Sequence, residues 1–79
     1  MTKAEFRAAL EDILQVPRGS LRDDDTRDTV KRWSSLADVQ IMVLLESELR
    51  LEDPEMLSYE SIGDLMDALE GRRAFAGQA

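Results

Sequence analysis

Between residues 2 and 16 the large apolar side chains Phe6, Leu10, Ile13 and Leu14 fall at spacings of four, three and one, a single helical stripe. Thr2, followed three places later by Glu5, is a capping-box start, and Pro17 and Gly19 supply the stop. Residues 17–33 then lose all period. Their large apolar groups are Leu21, Val30 and Trp33, of which Leu21 and Trp33 are expected to pin a long connection to the core. From 35 to 50 the pattern returns, with Leu36, Val39, Met42/Val43, Leu45/Glu46 and Leu49 in one stripe that Ile41 and Leu44 widen. Arg50 suits the end of that helix. In the connection 51–60, Pro54 can open a short helical turn, and Met56, Leu57 and Tyr59 would face inward or cap the end of the bundle. Ser61 and Asp64 start a last helix with Ile62, Leu65, Met66 and Leu69 as its stripe, which ends at Gly71 beside Arg72 and Arg73. Residues 74–79, "AFAGQA", read as frayed.

This pattern predicts an all-α chain. It reads as a small four-helix bundle of three main helices plus one short helix, with a long loop between helices 1 and 2. One domain spans 1–79, with an ordered core over about residues 3–72. Covering four apolar stripes with 79 residues leaves a thin margin, since such a chain buries roughly 60–65 % of its unfolded surface.

Composition narrows the chemistry. The chain has no cysteine and no histidine, so it lacks disulfides, thiolate ligands, the commonest general base and the commonest metal ligand. The net charge of −7 is uneven: residues 1–33 balance seven cations against seven acids, whereas 34–79 set three arginines against ten acids. Such a surface repels phosphate backbones and attracts basic protein patches, so nucleic acid is not an expected partner. Self-repulsion favours a monomer. No apolar run approaches the length of a membrane span, and "MTKAEFRAAL" has no apolar signal region, so the expected location is the cytoplasm. The acidic run "DDDTRD" lacks the glycine and distant glutamate of an EF-hand loop and reads as a solvated loop. Nothing builds a pocket around Asp23, Asp24 and Asp28 that would make them an enzyme's carboxylates.

The pair Ser34-Ser35 stands at the start of the longest helix. One serine suffices as N-cap. The other lies in the first turn, where backbone N–H groups favour a negative group; it is placed to carry a phosphate ester, and generic polar filler would explain it too.

The stretch "WSSLADVQIMVLLESELRL" resembles the phosphopantetheine attachment region of acyl and peptidyl carrier proteins, many of which read Trp-Asp-Ser-Leu here. Trp33, Ser35 and Leu36 match, Val39 falls at a position buried in the family, and Glu46 matches a glutamate late in the helix. Ile62, Gly63, Asp64 and Leu65 in "ESIGDLMDALEGR" are similar to the opening of the family's last helix, and Phe6, Leu10 and residues 13–16 fit its first; the likeness covers residues 4–71.

That resemblance implies a carrier, not an enzyme. A phosphopantetheinyl transferase would attach 4′-phosphopantetheine to Ser35, and the arm's thiol would hold an acyl or aminoacyl group as a thioester. The borrowed sulfur would account for a chain without cysteine. Loading and acyl-transfer enzymes with basic docking patches would meet Leu36, Asp38, Met42, Val43 and Glu46. Periodicity alone would bury Leu36; the resemblance makes it a partner contact. Val39 and Leu45 are expected in the core, Trp33 as the anchor of the loop end, and Met42 or Val43 beside a cargo slot or a partner. Two departures stand out. Ser34 replaces the usual Asp, and Ala37 and Gln40 occupy places often acidic in fatty-acid carriers, which points to a specialised carrier. The alternative is a carrier-like fold without the arm, acting as an acidic protein-binding module.

Overall fold

Thr2 caps the first helix, accepting from the Glu5 amide while Glu5 accepts from the Thr2 amide. In the computed structural model, which describes residues 1–77, that helix is α1 (Lys3–Leu14). It is followed by α2 (Ser35–Ser47), a 3-10 turn (Pro54–Met56) begun by its proline, and α3 (Ile62–Gly71). The fold is all-α, with three α-helices and no strand among the described residues. None of the helices among the described residues is long and apolar enough to cross a membrane.

One core holds the helices together. Phe6, Leu10 and Leu14 of α1, Ile41 and Leu45 of α2, and Ile62, Leu65 and Leu69 of α3 are almost wholly buried. Each such side chain contributes about 1.5–3 kcal/mol by leaving water.

The long connection 15–34 is built into this core. Leu21, Val30 and Trp33 are buried, as expected for Leu21 and Trp33. Glu11, the one buried charged residue among those described, holds its first turn: its Oε2 accepts from the amides of Gly19 at 2.8 Å and Leu21 at 3.1 Å. These bonds hold the Glu11 carboxyl below the usual carboxylate range, against burial, which pushes it up. Further on, the loop caps α3. The Ile62 amide donates to the Asp25 carbonyl at 3.0 Å, the Gly63 amide to Asp23 at 2.8 Å, and the Asp64 amide to the Ser61 hydroxyl at 3.0 Å. Three amides that a helix start leaves unpaired are thus satisfied, two of them by the loop.

Four expectations need correction. The α2 stripe is out of phase. Its buried face is Ala37, Ile41 and, as expected, Leu45, while Val39, expected in the core, is 56 % exposed beside Leu36, Met42 and Val43, whose exposure accords with the partner contacts expected of them. This helix is apolar nearly all round, so period alone selects no face. Its rotation follows the packing of Ile41 and Leu45 into the common core, and it also brings the Asp38 carboxylate to the indole N–H of buried Trp33 at 2.7 Å. Met56, expected to turn inward, is 71 % exposed, because the inward position of its 3-10 turn is taken by Pro54. Phe75, read as part of a frayed tail, is buried with its ring 5.5 Å from that of Phe6. The Ala76 amide also bonds the Met1 carbonyl, so both termini close the same end of the core; residues 78–79 of that tail lie outside the described residues. Arg50, finally, lies beyond α2 in a left-handed conformation, not in its last turn.

Candidate functional site

The chain enters α2 through Trp33, whose buried ring fixes where the helix begins. Ser34 is the N-cap. Its backbone is extended (φ −99°, ψ 179°), its hydroxyl accepts from the Ala37 amide at 3.4 Å, and its carbonyl accepts the Asp38 amide at 3.0 Å. A serine thus does the capping work of an aspartate at this place. Ser35 is the first residue of the helix proper and is exposed. Its hydroxyl makes no hydrogen bond among the described residues, and neither do the amides of Ser35 and Leu36. The two serines therefore differ in employment, since one closes the helix end and the other presents a free hydroxyl beside two free N–H groups.

Next to Ser35 stands Leu36, 67 % exposed, and beyond it Val39 and Val43 on the same side of α2. Val39 and Val43, with Ile13 of α1, Gln40 and Leu44, line a shallow apolar groove of about 330 Å³. Glu46 is also exposed, near the far end of the helix.

One turn from Ser35, Asp38 is committed internally. Its carboxylate receives Arg27 Nη2 at 2.8 Å, Arg27 Nε at 3.2 Å and Trp33 Nε1 at 2.7 Å. The Arg27 guanidinium lies 4.7 Å from the Trp33 ring centroid and 5.4 Å from that of Tyr59, and its Nη1 reaches the Tyr59 carbonyl at 3.4 Å. Trp33 and Tyr59 stack at 6.3 Å. Burial resists the charge on Asp38, but Arg27 and Trp33 outweigh it and hold the carboxyl below the usual range. Arg27 is held more firmly protonated by its bond to Asp38, while burial and the Asp38 charge raise the Tyr59 hydroxyl. The knot joins the long loop, α2 and the segment before α3. It forms one wall of a hollow of about 300 Å³ that Met42, Leu45, Pro54, Leu57 and Tyr59 help to line.

Leu36, Met42, Val43 and Glu46 therefore share the exposed part of α2 with Ser35, whereas Asp38 is half-buried in the knot. Sequence reasoning missed Arg27 and Tyr59. Both sit in aperiodic segments and meet Asp38 only through the fold. Three of the four acids of "DDDTRD" serve the loop: Asp23 pairs with Arg7, Asp24 with Arg22, and Asp25 accepts from the Arg22 amide and the Thr29 hydroxyl. Among the described residues no group of three or more His, Cys, Asp or Glu is arranged to hold a metal ion.

Compared with protein-family models, curated proteins and solved structures, the chain matches none of them.

Proposed function

We propose that this protein is an acyl- or peptidyl-carrier-like protein whose Ser35 accepts 4′-phosphopantetheine from coenzyme A through a separate transferase. In this reading the three helices and the 3-10 turn are the carrier's four-helix bundle, with Pro54–Met56 standing for its short helix. The observation that carries the proposal is the free, exposed hydroxyl of Ser35 at the first position of α2, set beside an exposed Leu36 and clear of the capping work done by Ser34. A phosphodiester formed there would sit by the unpaired amides of Ser35 and Leu36, where a helix start favours negative charge. The attached arm supplies the thiol, on which an acyl or aminoacyl group is held as a thioester. The chain's own residues do the rest. Ser35 anchors, Ser34 holds the helix start, and Leu36, Met42, Val43 and Glu46 meet partner enzymes. Asp38, expected among the partner contacts, instead ties α2 to Arg27 and Trp33 of the long loop.

Intact-mass measurement after incubation with coenzyme A and a broad-specificity phosphopantetheinyl transferase tests this. Wild type and Ser34→Ala should each gain one phosphopantetheine, and Ser35→Ala should gain none. Failure of wild type with several transferases would sink the proposal.

The exposed apolar face of α2 also favours a second reading, a protein-binding module that needs no arm. A partner complex that survives Ser35→Ala supports it; one that forms only with the modified protein opposes it.

A further inference from the structure

Beyond each α-helix stands a non-glycine residue with left-handed backbone: Gln15 after α1 (φ 55°), Arg50 past α2 (φ 53°) and Arg73 after α3 (φ 55°). At α3 the Arg73 amide donates to the Glu70 carbonyl at 3.0 Å and the Ala74 amide to Leu69 at 3.0 Å, the bonding of a Schellman end. Past α2 the Leu51 amide reaches back to the Leu45 carbonyl at 3.0 Å. Glycine is the favoured residue at such positions, and a Cβ there is strained. Two of the three carry arginine. The helix dipole rewards a cation anywhere in the last turn and does not call for one at the strained position.

Arg50, Arg73 and Arg72 are the only cations in residues 34–79, and all three line one open hollow of about 460 Å³. Half-buried Leu49, Leu51 and Ala74 line it too. The chain has 17 acids for 10 cations, and Glu52 and Asp53 border this same hollow. Yet the ion pairs among the described residues use Lys3, Arg7, Arg18, Arg22 and Arg27, and none uses these three arginines.

We propose that this hollow docks an acidic segment of a partner protein. Its carboxylates would pair with Arg50, Arg72 and Arg73, and an apolar side chain between them would rest on Leu49, Leu51 and Ala74. Guanidinium forks suit carboxylates in two-point contact. A compact dianion lodged in the hollow would meet the charges of Glu52 and Asp53, whereas spaced carboxylates on a chain avoid them. The site lies past the C-terminal end of α2 and Ser35 at its N-terminal end, and a helix of 13 residues separates its ends by about 18 Å. A partner held at the arginines therefore leaves Ser35 open, and the proposal does not depend on the carrier reading.

Amide-shift titration of the full ¹⁵N-labelled chain with the blocked peptide Glu-Glu-Leu-Glu-Glu, at low salt, tests the site. Shifts should centre on residues 49–53 and 72–74 and be absent with the Gln-Gln-Leu-Gln-Gln counterpart. The double variant Arg50→Gly/Arg73→Gly should bind about tenfold more weakly while melting no lower than wild type. Arg72→Gln, at an unstrained position, should weaken binding as well. The proposal is overturned if shifts are absent from those residues, are equal at Lys31 and Arg32, are equal with the glutamine peptide, or persist undiminished in both variants.

Discussion

The amide of Gly63 donates to the carbonyl of Asp23 at 2.8 Å, and a Cβ built on Gly63 would stand 3.0 Å from that same oxygen and 3.3 Å from the Asp23 Cβ. The long loop and the start of α3 thus touch backbone to backbone. The loop has little room to retreat, because Arg7 pairs with Asp23 and donates to the Leu21 carbonyl. Gly63→Ala should therefore destabilise by about 1–2 kcal/mol, even though alanine is the better helix former by up to ~1 kcal/mol. Denaturant unfolding would show a lower midpoint. An unchanged or raised midpoint would mean that the loop yields freely.

Glu11→Gln tests the buried carboxylate. The amide oxygen can accept from Gly19 and Leu21 but carries no charge, and its NH2 group finds no protein partner. The loss should be about 1–3 kcal/mol at neutral pH. The Glu11 carboxyl is lowered in the folded state, so its contribution is complete above the ordinary carboxylate range and is lost as pH falls through the lowered folded value. Stability measured against pH should fall more steeply in acid for wild type than for the variant. Parallel curves would contradict this.

A double-mutant cycle on Arg27→Met and Asp38→Asn measures the knot. Side chains 40 % and 33 % exposed are partly screened, so the coupling should be about 1 kcal/mol. Trp33 fluorescence should shift in Asp38→Asn, because the indole N–H loses its charged acceptor. Additive effects with unchanged emission would show that the knot ties nothing.

Phe75→Ala should cost about 3 kcal/mol, the range for emptying a buried aromatic site, whereas Met56→Ala should fall within about 0.5 kcal/mol of wild type. Thermal melts of the two variants decide it. Equal effects would place residue 75 outside the core.

On α2, Ile41→Ala should cost about 2–5 kcal/mol and Val39→Ala under about 1 kcal/mol. The reverse order would mean that the face carrying Val39, not the one carrying Ile41, is buried.

By itself the sequence determined three helices, two capping boxes, the pinned loop and the position of a serine pair at a helix start. Those features are local: a hydroxyl three residues before its amide, or a stripe repeating every turn, is written within a few residues. Tertiary structure alone decided which face of α2 is buried, because a helix apolar nearly all round carries no phase until it packs against α1, α3 and the long loop. The same holds for the burial of Phe75 against Phe6, the approach of Gly63 to Asp23 and the gathering of Arg50, Arg72 and Arg73. Each joins residues distant in the chain or set by a helix end, and no periodicity records such a meeting.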